Sequence, residues 1–282
     1  MKILELSKSS YYYTVKVLER DDEDKEIKER ITSIYNENKG RYGYRRITLV
    51  LKRQGEAINH KRVKRLMKVL GLFGITPKAK YKSYKGDMNG TVKNLLLDKK
   101  VDEVNHKTTY ERNFNTTGCN QKWATDVSEF HISTGKLYLS PIIDMHNGEI
   151  VSFDISANPN YVQITNMLNQ AFSRFENLEG LIMHSDQGWQ YQMQHYHKSL
   201  KDKGILQSMS RKGNCLDNSV IENFFGKMKN EMFYGREYEF ESLEHLKKEM
   251  EEYITYYNEK RIKVKLKGLT PLQYRNQSLQ LN

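Results

Sequence analysis

Cysteine is scarce in this chain: only Cys119 and Cys215 occur in 282 residues, far apart and outside any CxxC or HxxxH spacing. A disulfide framework and a zinc site built on such spacings are thereby excluded. Long apolar runs are missing too. No stretch approaches the ~20 apolar residues of a membrane span, and the first residues contain no apolar signal core. There is no internal repeat and no low-complexity tract. These absences lead us to expect a soluble protein of a reducing cytoplasm with no membrane partner. Acidic residues are outnumbered, with 35 Asp and Glu against 46 Lys and Arg. The resulting formal charge of +11 suits a polyanionic partner.

The positive charge is regional. Residues 25 to 97 hold 19 Lys or Arg against 5 Asp or Glu, which leaves the rest of the chain close to neutral. The same region carries helical periodicity: Ile27, Ile31 and Ile34; then Ile47, Val50 and Leu51 after the glycines of GRYGYRRI; then Val63, Leu66, Met67 and Leu70, with Asn59 as a candidate cap and Gly71 as a stop. The outward face of the last helix carries Lys61, Arg62, Lys64, Arg65 and Lys68, and Arg45 and Arg46 open the helix before it. A strip of cations solvates many helices. Here the strip belongs to a segment of net charge +14 with Tyr42, Tyr44, Tyr81 and Tyr84 interleaved, and short helices joined by glycine turns read as a helix-turn-helix-like unit binding double-stranded DNA. From 76 to 121 periodicity fades into a basic linker, expected to be mobile and protease-sensitive.

Beyond Gln121 the pattern changes to strands: Trp123 to Ile132, Lys136 to Met145 and Glu149 to Ser156, joined by turns at Ser133 to Gly135 and His146 to Gly148. A helix with Val162, Ile164, Met167, Leu168 and Phe172 inward follows, then a strand ending near Asp186, a helix over Tyr191 to Lys203, a strand over Ile205 to Met209, and another helix. This order is the ribonuclease-H-like arrangement, an α/β fold with a mixed five-stranded sheet flanked by helices. Its first and fourth strands are neighbours.

Three acids stand out. Asp126 shares a strand face with Ala124 and Ser128 in KWATDVSEF; Asp186 follows the apolar run Leu181, Ile182, Met183; Glu222 interrupts the stripe Val220, Ile221, Phe224, Phe225, Met228 of a helix that Asp217 or Asn218 is placed to cap. Lys229 lies seven residues after Glu222, on the same face. Singly, each acid reads as a solvated side chain. Together they suit hard divalent cations, which take a few carboxylates, water and substrate phosphate, so that two ions ~4 Å apart activate one oxygen and stabilise another. Asp144 reads as a structural acid, and His184 as a hydrogen-bonding support rather than a ligand. Trp189 and Tyr191 fit packing and base stacking equally. The loop around Arg211 and Lys212 fits a plain surface loop, or one that orders over DNA and carries Glu222 into place.

WATDVSEF, HSDQGWQY, SRKGNCLDNSVIENFF, YYNEKRI and LTPLQYR, in this order, resemble the second-frame transposase protein of the IS-three insertion-sequence family, with its retroviral-integrase-type catalytic core. The resemblance covers nearly the whole chain. It implies a metal-binding catalytic triad of Asp126, Asp186 and Glu222, a DNA-contacting Lys229, and two divalent ions, magnesium with manganese as substitute. Leu216 and Ser219 depart from the family's aromatic and alanine and leave the acids untouched. The implied activity is 3′-end cleavage and strand transfer of an insertion sequence. The implied partners are element ends, target DNA, further copies of the chain and an upstream-frame protein of which Met1 would be the interior continuation; the implied location is the bacterial nucleoid. The expected division is 1–75 helix-turn-helix-like, 76–121 linker, 122–235 catalytic core and 236–282 C-terminal helix and basic tail. The tail is suited both to packing on the core and to touching DNA. Two rivals are a nuclease of the same fold without strand transfer and a DNA-binding regulator without chemistry.

Overall fold

The computed structural model describes residues 7–18, 22–75, 92–102 and 107–280, which leaves Tyr81, Tyr84 and the first part of the expected linker, 76–91, outside the described residues. The chain forms two compact units, Met1–Ile75 and Thr76–Asn282.

The first unit is helical: α1 (Lys8–Leu18), α2 (Lys25–Glu37), α3 (Tyr44–Arg53) and α4 (His60–Val69). Ile31, Ile34, Ile47, Leu51, Val63, Leu66 and Met67 form its core, as apolar residues three and four apart on packed helices must. Ile27, Val50 and Leu70, expected inward, are only partly buried, because they lie at the edges of their stripes. Asn59 caps α4 by accepting the Lys61 amide at 2.9 Å, a contact of the kind that stabilises a helix by ~1 kcal/mol. Gly74 needs to be glycine for a different reason: a Cβ there would sit 2.8 Å from the Gly43 backbone, where the chain closes against the start of α3.

In the second unit the structure departs from the linker expectation. β1 (Leu97–Asp102) and β2 (Lys107–Arg112) form an antiparallel hairpin within the segment read as irregular. LDKKVD and KTTYER are short and charged, so period-two alternation is weak in them. The larger sheet holds β3 (Lys122–Thr125), β4 (Ser128–Ile132), β5 (Gly135–Asp144), β6 (Ile150–Ser156), β7 (Ile182–Ser185) and β8 (Leu206–Met209). β3 and β4 together are the expected first strand, interrupted at Asp126 and Val127. Their register on β5 is continuous, Trp123 opposite Asp144 and Ser128 opposite Leu139, so Asp126 faces Pro141, whose nitrogen has no hydrogen to give. The Val127 amide turns to the Asp126 carboxylate instead, at 2.7 Å.

Side chains alternate across this sheet. Ala124, Phe130, Leu139 and Ile143 pack against α7 (Ser219–Met228) and α8 (Leu243–Glu259), while Trp123, Ile142 and Met183 pack against α5 (Tyr161–Arg174) and α6 (Gln194–Lys201). On α5 the expected inward Val162 is exposed and Gln163 is buried in its place, its Nε2 donating to the carbonyls of Tyr138 and Asp154 at 2.6 and 3.0 Å. The helix expected over Tyr191 to Lys203 is shorter, since Trp189–Tyr191 forms a separate turn before α6. α9 (Pro271–Gln280) closes the fold, with Thr270 accepting the Gln273 amide at 3.2 Å.

Candidate active site

β3 and β7 run parallel as neighbours, with Ala124 beside His184. Asp126 and Asp186 each follow two residues later, so both acids leave the same edge of the sheet. Glu222 comes from α7, whose Ile221, Phe224, Phe225 and Met228 are buried against the sheet. The expected caps of α7 do other work. The Asn218 amide donates to the Thr125 carbonyl at 3.4 Å, tying the helix start to the end of β3.

Electrostatically the three acids are one group. Burial pushes Asp126 up to about 7, helped by the charges of Asp186 and Glu222 and opposed by the Val127 amide and by Lys229. Burial raises Asp186 also, against the Gly188 amide that donates to it at 2.9 Å. Burial and then Asp186 raise Glu222. Lys229 begins a π turn, Lys229–Phe233, at the end of α7 and lies 4.9 Å over the Phe130 ring. Burial lowers its pKa, while Glu129 and Asp126 work to raise it. Hard carboxylate oxygens in mutual repulsion are a donor set that suits a divalent cation. Among the described residues no three His, Cys, Asp or Glu side chains are already grouped to hold an ion, so a shared site requires the acids to draw together.

The remaining candidates divide. Lys61, Lys64 and Lys68 are exposed on α4, as is Arg45 on α3. Arg62 and Arg65 are instead paired with Asp24 at 2.6 and 2.8 Å. Arg46 lies 5.3 Å over the Tyr42 ring. His184 is buried and hydrogen-bonds Ser208 at 2.8 Å, and burial lowers its pKa to about 4, keeping it neutral. Lys212 is exposed, whereas Arg211 is held by Asp217.

Asp217 is the residue that sequence reasoning misjudged. Fully buried, it accepts from Arg211 Nε and Nη2, both at 2.8 Å, from Arg112 at 2.7 Å and from Asn94 at 3.0 Å. Burial works to raise its pKa, but the two guanidiniums hold it below the usual carboxylate range. It thus ties the loop ahead of Glu222 to the hairpin. Its partners lie up to 123 residues away, so no local pattern marks them.

Residues 117–215 match the integrase core domain family, 222–279 a second integrase core domain family, and 21–80 an HTH-like domain family. With the mixed sheet, these define an integrase-type catalytic core of ribonuclease-H-like fold accompanied by a helix-turn-helix-like unit. The chain is 48% identical over 278 residues to the putative transposase InsK for insertion sequence element IS150 of Escherichia coli, covering 99% of this chain and 93% of the relative. It is 29% identical to the transposase InsF for insertion sequence IS3A of the same species, over 99% and 93% of the two chains. The HTLV-2 integrase catalytic core domain in complex with magnesium is 18% identical, with a TM-score of 0.45 over 57% of this chain and 99% of that one. The chain belongs to the insertion-sequence transposases.

Proposed function

We propose that this chain catalyses the 3′-end cleavage and strand transfer of an insertion sequence, with Asp126, Asp186 and Glu222 as the catalytic acids. The observation that carries the reading is that Asp126 and Asp186 leave neighbouring parallel strands at the same edge, and that the charge of Asp186 reaches both Asp126 and Glu222 across segments distant in sequence. Two divalent ions, magnesium or manganese, held by these carboxylates would supply the charge that activates an attacking oxygen and stabilises a leaving one. Asp126, which the charges of both other acids reach, would hold such an ion together with them. Lys229 offers a point charge to a phosphate beside Asp126. Arg45, Lys61, Lys64 and Lys68 of the helical unit, and Lys212 ahead of α7, supply phosphate contacts, so binding should weaken with salt. Assembly of further copies on the element ends, and an upstream-frame protein, complete the proposal, in the bacterial cytoplasm and nucleoid. Among the described residues no helix is long and apolar enough to cross a membrane.

The test is an assay with labelled duplexes of the element's terminal repeat and magnesium. Wild type should nick the 3′ end and join it to a second duplex, and Glu222→Gln should do neither. Equal cutting by both proteins would sink the assignment; nicking without joining would leave the nuclease, and no cutting by either the regulator.

A further inference from the structure

A cavity of about 230 Å³ opens between β4, β5, the start of α5 and the Trp189 turn, lined by Glu129, Tyr138, Asn160, Gln163, Trp189 and Gln190 among others. It adjoins the site through both strands: Val127, which follows Asp126, lines it, and Trp189 follows Gly188, whose amide is held by Asp186. Trp189 is 57% exposed, an unusual cost for a large ring that has no packing role to justify it, whereas Tyr191 two residues on is fully buried.

The chemistry of the walls narrows the occupant. No Lys or Arg lines the cavity, so it is not built for a phosphate. Its polar groups are mixed. The Asn160 Oδ1 accepts from the Gln163 backbone N–H at 3.1 Å, which leaves its Nδ2 to donate. The Gln163 amide cannot be turned round, because its Nε2 donates to two carbonyls; its Oε1 is therefore a buried acceptor, and it has no partner among the described residues. A planar, uncharged ring with donors and acceptors on its edge matches an aromatic wall and such an edge. The volume is below the ~300–1,000 Å³ of sites for drug-sized ligands, so it suits one ring system rather than a whole nucleotide.

We propose that this cavity receives one unstacked nucleobase of the DNA, next to the phosphate at Asp126 and Asp186, stacked on Trp189 and read at its edge by Gln163 and Asn160. The proposal rests on the function proposed above and adds a nucleobase subsite to it. Such a base would fix the strand at the point of cleavage, since stacking anchors a nucleotide without regard to its phosphate.

The test reads binding rather than cutting, with the full chain and duplexes of the element's terminal repeat. Trp189→Leu should bind about 5- to 100-fold more weakly than wild type, and Trp189→Tyr should retain most of the affinity, because an aromatic face is required rather than apolar bulk. Replacing one base beside the scissile phosphate by an abasic residue should weaken wild-type binding and add nothing to Trp189→Leu. Trp189→Leu binding as wild type does, or abasic losses that simply add to it at every position, would overturn the proposal. Melting temperatures of both variants should match wild type, since the ring is exposed. Asp126→Asn should abolish cutting yet keep the dependence on the base, so failure of the pocket and failure of the catalytic assignment are told apart.

Discussion

Asp144, the last residue of β5, lies opposite Trp123 near the start of β3, and Asp126 follows the last residue of β3. Around Asp144 the fold has gathered cations: Arg275 donates to it at 2.7 Å and to Glu149, and Arg174 reaches Glu149 at 2.5 Å. Around Asp126 it has gathered acids, with Lys229 the cation that opposes them. The two ends of the β3–β5 pairing therefore treat buried carboxylates in opposite ways. Desolvated charge is tolerated when paired, and an unpaired group in mutual repulsion is a standing cost that a fold keeps where something else is to be bound.

The largest effect should come from breaking the satisfied end. Arg275→Met leaves Asp144 and Glu149 buried with one fewer guanidinium and should cost about 3–5 kcal/mol of stability, read by denaturant unfolding, with cleavage per folded molecule unchanged. Breaking the other end should do the reverse. Asp126→Asn or Glu222→Gln should lower magnesium-dependent cleavage by about 10²-fold or more without lowering the melting temperature.

Asp217 sharpens the contrast, being fully paired like Asp144 yet five residues ahead of Glu222. Asp217→Asn should cost about 1.5–3 kcal/mol, as a charged hydrogen-bond partner lost from a buried site does. It should also slow cleavage more than it weakens DNA binding, since the loop from Ser210 to Asn218 loses its tie to Arg112. Limited proteolysis of that loop would report the loosening; equal losses in cleavage rate and affinity would point to a general collapse instead.

How much of this the sequence revealed depends on the range of the interaction. The order of strands and helices in the core, the Asn59 cap and the Thr270 helix start are local patterns, and all are read correctly from spacing. Ala124 beside His184 follows from the arrangement of first and fourth strands. The hairpin is not legible locally, because LDKKVD and KTTYER carry little alternation and are ordered by pairing with one another. Hydropathy places Val162 inward, but the buried position goes to Gln163, which satisfies two carbonyls at the sheet's edge. Arg62 and Arg65 stand on the outward face that their spacing gives them, but their partner Asp24, 38 and 41 residues away, carries no local mark.

The smallest effect is one of pH, and its sign follows from the unpaired end. The folded-state pKa of Asp126, about 7, stands above the ordinary 3.8 that it regains on unfolding. Between pH 5.5 and 8 the unfolded chain is thus already ionised here while the folded chain gives up its proton, so the native state loses stability as pH rises through that window. The loss attributable to Asp126 over that window should be about 2 kcal/mol. Other groups titrate over the same range, so the informative quantity is the difference between wild type and Asp126→Asn: the variant should be the more stable already at pH 5.5, where the unfolded wild type is ionised, and its lead should widen by about 2 kcal/mol on going to pH 8. Magnesium at pH 8 should close that gap by stabilising wild type alone, because the ion replaces the missing positive charge. A gap that ignores magnesium would show that the acids repel one another without forming a cation site.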